Sequence, residues 1–293
     1  MTNQKRPLSF GRIFIYATLV LFAFYYLTPL YVMIVTSLKT LPEIRSGNIL
    51  SFPQGFNLEA WKIAWSGDPE AQCEQGVACQ GLSAYFWNSI VMVVPAVLIS
   101  TLIGALNGYV LTKWRFKGSN LFFGMLLLGC FIPFQVILLP MSQVLGKLGL
   151  SGTLSGLIFV HVVYGITFTT LFFRNYYVTI PSELIKAARI DGAGFWLIFY
   201  KIILPLSAPI IVVSVIWQFT QIWNDFLFGV VYADSLSQPV MVALNNLVNT
   251  TTGVKRYNVD MAGAFIAGIP TLLVYIIAGK YFVRGLTAGA VKG

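Results

Sequence analysis

The residues best able to do chemistry sit in one apolar stretch in the last third of the chain. Ser214, Gln218, Gln221 and Asp225 recur at i, i+4, i+7 and i+11, with Trp217 and Asn224 beside them. On a continuous helix this spacing places the four on one stripe. Hydroxyl, amide and carboxylate groups in such a row can hydrogen-bond a polar solute while Trp217 or Trp223 stacks on its apolar face. A plainer reading competes: contacts between helices, with an aspartate satisfied by its neighbours. Gln135, between Pro133 and Pro140, is a further candidate on polarity alone.

Catalysis fits poorly. His161 is the single histidine and reads as a core or pore-lining residue. One imidazole without carboxylates at ligand spacing makes no metal site, and no nucleophile–base set assembles around it. No Gly-x-x-x-x-Gly-Lys-Ser/Thr loop occurs; Gly146-Lys147 and Gly279-Lys280 both lack the following hydroxyl and the upstream glycine. The expectation is a non-catalytic chain without a cofactor.

The elements that position these residues are membrane helices. Of the 293 residues, 57% are hydrophobic and 10% charged, against about 25% charged in an average soluble chain. A spanning helix needs roughly 20 apolar residues. Stretches free of Asp, Glu, Lys and Arg run over 13–38, 75–112, 118–146, 148–173, 202–224 and 261–279. They give six candidate spans, the fifth continuing past Asp225 to about Val231. Nothing alternates as barrel strands do, so the expected fold is all-α and polytopic. Pro133 and Pro140 should kink the third span. The first run is too long for a signal-peptide core and no small-residue cleavage site follows it, so it is expected to remain as a helix.

The net charge of +9 follows topology. With an inside N-terminus, Lys39, Arg45, Lys62, Lys147, Lys255 and Arg256 fall outside, and the other thirteen of nineteen basic residues fall inside. This is the positive-inside bias, and no nucleic-acid partner is implied. The expected layout is an inner arm (1–12), a six-helix membrane domain (13–283) and an inner tail (284–293). The domain includes a long outer loop (39–83), with a short interfacial helix over 58–65, and one long inner segment (174–207). Cys73 and Cys79 lie close enough in the outer loop to permit a disulfide without requiring one, and Cys130 reads as a small core residue.

The inner segment reads Ile-Pro-Ser-Glu-Leu-Ile-Lys-Ala-Ala-Arg-Ile-Asp-Gly-Ala-Gly-Phe-Trp from Ile180 to Trp196. Pro181 suits a first helical turn, Ser182 and Glu183 its positive end, and Gly192 and Gly194 a turn out of it. Phe195–Leu204 can form a second helix, with Pro205 and Pro209 leading into the next span. Such an exposed knob suits a groove on a partner.

This segment resembles the signature of importer permeases of the ATP-binding-cassette superfamily: Glu-Ala-Ala, three residues, Gly, nine residues, then Ile-x-Leu-Pro. Ala187-Ala188, Gly192 and Ile202-Ile203-Leu204-Pro205 fall in register, and Lys186 stands where the family has Glu. Trp223-Asn224-Asp225-Phe226 and the C-terminal stretch from Phe282 to Gly293 are similar to features of maltose-type carbohydrate permeases; Lys-Ala-Ala-Arg-Ile-Asp-Gly-Ala-Gly-Phe most resembles the glucose/mannose-type members. The resemblance implies a type I importer permease fold in a bacterial inner membrane with both termini cytoplasmic. It implies a second homologous permease, two ATP-binding subunits that hydrolyse ATP, and a periplasmic sugar-binding protein. Glu183, Lys186, Ala187, Ala188, Asp191 and Gly192 would then meet the ATPase. Ser214, Trp217, Gln218, Gln221, Asn224 and Asp225 would line the substrate path. Alternatives are import of another small polar solute, an ion-coupled secondary transporter, which should show intramembrane charge pairs and repeats, and an intramembrane enzyme.

Overall fold

The computed structural model describes residues 10–68, 80–249 and 254–290, with side chains to 279. Cys73 and Cys79 lie outside the described residues, as do the side chains of the C-terminal stretch. Thirteen helices organise what is described, and four are long and apolar enough to cross a membrane: α1 (Phe10–Ser37), α4 (Ser83–Lys113), α7 (Leu154–Val178) and α13 (Tyr257–Ala290), the last over Tyr257–Gly279. Two bent pairs bring the number of candidate spans to six.

The first bent pair is α5 (Ser119–Phe131) and a short 3-10 turn, Phe134–Ile137, that runs on into α6 (Leu138–Leu148). The two halves lie 97° apart, far more than the kink expected of this span. Pro133 has no amide hydrogen and forces its predecessor out of the helical region; Ile132 is extended at φ −71°, ψ 120°. Pro140 adds no break, because it falls in the first turn of α6, where a missing N–H costs nothing.

The second bent pair is α9 (Phe195–Leu206) and α10 (Ala208–Trp223), joined at Ser207 with a 76° bend. Phe199–Ile203 forms a π turn within α9. Contrary to expectation, α10 does not continue past Asp225. It ends at Trp223, and α11 (Leu227–Tyr232) begins afresh after Asn224-Asp225-Phe226.

The chain divides into two compact units. One comprises 1–81 and 247–266. In it α2 (Leu41–Ser46) is closed by a capping box: Thr40 N and Oγ1 both donate to Glu43 Oε2, at 2.8 and 3.0 Å. Ala60 and Ala64 of α3 (Glu59–Ser66), one residue later than expected, pack on Val259 and Ala262 of α13.

The other unit comprises 82–246 and 267–293. Its core is the α4–α7 seam. A Cβ on Gly104 would come within 2.3 Å of Thr169, and one on Gly108 within 2.7 Å of Phe173. Small residues of this kind let membrane helices approach closely. Hydroxyls bridge the same seam: Thr169 Oγ1 donates to Ser100 O (2.9 Å) and Asn107 Nδ2 to Thr170 Oγ1 (3.1 Å). The short helices α8 (Ser182–Ile190) and α12 (Val240–Val248) complete the set.

Candidate functional site

Two places in the second unit gather the candidate residues. The first is the hairpin of α8 and α9. Pro181 precedes α8, and its last turn closes with Gly192 N donating to Arg189 O (3.1 Å) and Ala193 N to Ala188 O (2.9 Å). Gly192 sits at φ +81°, where glycine carries no steric penalty. Gly194, at φ −81°, needs no such freedom; it is an extended residue entering α9.

Ile185, Ala188, Ile198, Phe199 and Ile203 face a core that also holds Tyr109, Phe173 and Tyr177. Arg189 lies 4.1 Å over the Trp114 ring and donates to Lys113 O. Glu183, Lys186, Ala187, Asp191 and Gly192 all point outward, and Ile190 is 86% exposed. Of the six coupling candidates, only Ala188 is turned inward. Tyr177 Oη and Ser207 Oγ, 2.7 Å apart, tie the corner where α9 meets α10.

The second place is a cavity of about 580 Å³ between α7, α10 and α11. The expected stripe divides here. Ser214 is buried against α4, its hydroxyl 3.5 Å from Thr101 Oγ1. Gln218 is 2% exposed and donates from Nε2 to Ser100 Oγ at 2.6 Å. Its flank touches the cavity, but its amide is spent on helix packing. Trp217, Gln221, Asn224 and Asp225 do line the cavity. Trp217 packs on Phe168 (ring centroids 4.6 Å apart) and edge-on to Phe172 (5.4 Å). Asn224 donates from Nδ2 to Thr220 O (2.9 Å) and lies 3.5 Å from Thr271 Oγ1.

Asp225 departs from the helical pattern because it caps the next helix. It accepts from Phe228 N (3.4 Å) and Gly229 N (3.2 Å), satisfying amides that the first turn of α11 leaves unpaired. A carboxylate is favoured at that end by the helix dipole. Trp223 is not available to a solute: it is 1% exposed, stacked on Phe219 and bonded from Nε1 to Ala267 O at 2.8 Å. Gln135 is exposed and is not part of the cavity wall.

His161, expected as a core or pore-lining residue, proves to lie beside one of the candidates. His161 of α7 lines the cavity with 5% of its side chain exposed, and its Nε2 is 3.7 Å from Asp225 Oδ2. Phe228 lies edge-on to its ring at 5.5 Å. Nothing in sequence spacing connects two positions on separate helices; the link exists only once α7 packs beside α11.

The chain is 32% identical to the xylose/arabinose import permease protein XacI of Haloferax volcanii, an alignment covering 99% of this chain and 96% of that one. It is 35% identical to the osmoprotective compounds uptake permease protein GgtD of a Synechocystis species, over 90% and 92% of the two chains. A probable ABC transporter permease protein of Pyrococcus horikoshii is 47% identical over 64% of this chain and 68% of its own. Among solved structures, a chain of a bacterial ABC transporter involved in importing the acidic polysaccharide alginate superposes with TM-score 0.79 at 21% identity, covering 96% of this chain and all of that one. It shares the fold of this chain, a polytopic all-α permease. The model for binding-protein-dependent transport system inner membrane components matches residues 96–287, from α4 through both the hairpin and the cavity, and the chain belongs to that family.

Proposed function

We propose that this chain is a permease subunit of an ATP-driven, binding-protein-dependent carbohydrate importer in a bacterial inner membrane. The carrying observation is the pairing of an outward knob with a polar-and-aromatic cavity on one continuous bent element, α9–α10. Relatives named for xylose/arabinose, arabinooligosaccharide, α-glucoside and diacetylchitobiose uptake support the carbohydrate class. The charge asymmetry of the loops supports cytoplasmic termini.

In this reading a periplasmic binding protein delivers the sugar to the outer face, and a second homologous permease completes the path. Two ATP-binding subunits close on the α8–α9 knobs, and the helices rock between outward- and inward-facing states. Glu183, Lys186, Ala187, Asp191 and Gly192 meet the ATPase, with Ala188 holding their helix to the core. Trp217, Gln221, Asn224 and Asp225 face the path. Ser214 and Gln218 hold its wall.

Reconstitution of the complete complex in proteoliposomes tests the reading. Uptake of labelled D-xylose, L-arabinose, D-glucose or D-mannose should require ATP inside the ATPase-facing side and the binding protein outside. Uptake driven by an ion gradient without ATP would overturn it in favour of a secondary transporter.

A further inference from the structure

We infer that this chain carries its own sugar subsite, in which one ring hydroxyl bridges His161 Nε2 and Asp225 Oδ2 at the Phe228 end of the cavity. The inference rests on the carbohydrate reading above and adds a residue, a ligand group and a location to it.

Three observations carry it. First, His161 Nε2 is fully enclosed by protein yet has no hydrogen-bond partner. Buried polar atoms are nearly always paired. Second, the gap to Asp225 Oδ2 is 3.7 Å, beyond direct hydrogen-bond reach. The nitrogen is enclosed in this conformation, so a turn of the His161 ring toward the cavity must open it; an oxygen about 2.8 Å from each atom then closes the gap. A hydroxyl has the chemistry this requires: it donates to the carboxylate and accepts from the imidazole N–H. Asp225 has capacity for it, since its two bonds to Phe228 N and Gly229 N leave lone pairs on both oxygens. Third, the wall is built for a ring with one apolar and one polar aspect. Phe228, with Phe134 and Tyr164 packed on it, supplies the apolar surface beside the pair, and Gln221 and Asn224 offer further amide groups. Pockets that fix orientation with few polar groups on an aromatic wall are the usual form of a small-molecule site.

A histidine held only for packing would lose nothing specific to one hydroxyl. The test therefore pairs two variants, His161→Phe, which keeps the ring shape without the nitrogens, and His161→Gln, which keeps a donor, with monodeoxy analogues of the imported sugar. Each complex is purified whole, checked for co-purification of all its subunits, and reconstituted with the binding protein. The probe is whichever of D-xylose, L-arabinose, D-glucose and D-mannose the unaltered complex imports under ATP. Losing a hydrogen bond of this kind should raise the transport KM of His161→Phe roughly tenfold, with His161→Gln recovering much of it. One deoxy analogue should show a raised KM in the unaltered complex and no further rise in His161→Phe, the signature of a coupled pair. Equal analogue penalties in both complexes, or equal impairment of both variants, would assign His161 to packing and overturn the subsite while leaving the importer reading intact. Failure of the unaltered complex to import any sugar under ATP would instead count against the carbohydrate reading, and the subsite would fall with it.

Discussion

Gln218 donates from Nε2 to Ser100 Oγ at 2.6 Å, and the same amide nitrogen lies 1.9 Å from where a Cβ on Gly165 would stand. Three helices thus meet at one buried amide. Gly165→Ala must evict it, and overpacking of this kind costs about 1–3 kcal/mol. Thermal unfolding in detergent should show the loss, and Gly165→Ala combined with Gln218→Ala should recover part of it. Additive losses would show that the two positions are not in contact.

Trp223 fills the core below the cavity and donates to Ala267 O at 2.8 Å. Trp223→Phe keeps most of the ring contact with Phe86 and Phe219 but loses that hydrogen bond, while the Ala267 carbonyl keeps its partner within α13. A destabilisation of about 0.5–1.5 kcal/mol is expected, with transport KM unchanged in whatever fraction remains folded. A selective rise in KM would return Trp223 to the solute path.

Gly192 has open space around it and a positive φ. Its requirement is therefore conformational within this chain. Gly192→Val should abolish ATP-coupled uptake while leaving membrane insertion intact. Gly192→Asn should be milder, because asparagine tolerates the left-handed region that β-branched residues avoid. Equal loss in both would mean that the ATPase needs the space itself.

Lys186 is exposed on the same face as Glu183. Lys186→Glu reverses one charge at the proposed ATPase contact. Because exposed charge interactions are screened, the salt concentration at which the ATPase subunits dissociate should shift measurably. An unchanged salt profile would place Lys186 outside that interface.

Glu43 is held below its ordinary carboxylate range, first by the amide of Thr40 and then by that of Gln54. A depressed folded value stabilises the cap above the ordinary carboxylate pKa, and this contribution is lost as pH falls through the lower folded value. Protection of the Thr40 and Gln54 amides, relative to their intrinsic exchange rates, should fall in that acidic window and not between neutral and mildly alkaline pH. Glu43→Ala should leave both unprotected throughout.

The helices were largely legible, because an apolar run long enough to span a bilayer has few other fates. Gly192 was legible too, since a glycine after a short amphipathic helix has one common use. The break at 224–226 was not. It contains no glycine or proline, and the i, i+4, i+7, i+11 pattern reads straight through it. Asp225 both ends one helix and caps the next, and only the hydrogen bonds to Phe228 and Gly229 reveal this. The burial of Ser214 and Gln218 was hidden for a related reason: periodicity tells which residues share a face, not what that face meets. The size of the turn at Pro133 depended on packing that no local rule contains.

The corner at Ser207 sets how motion passes along the chain. Two helical arms joined at 76°, with their corner anchored to α7 by the Tyr177–Ser207 hydroxyl pair, have the geometry of a bell crank. Displacement of the first arm would reach the second as rotation about the corner, with little axial thrust. The second arm, α10, has 16 residues and is about 24 Å long, and it carries Trp217 on its far half. In the importer proposed above, a small swing at the joint would become its largest sideways travel along the stretch of α10 that lines the cavity, widening a short stroke at the knob.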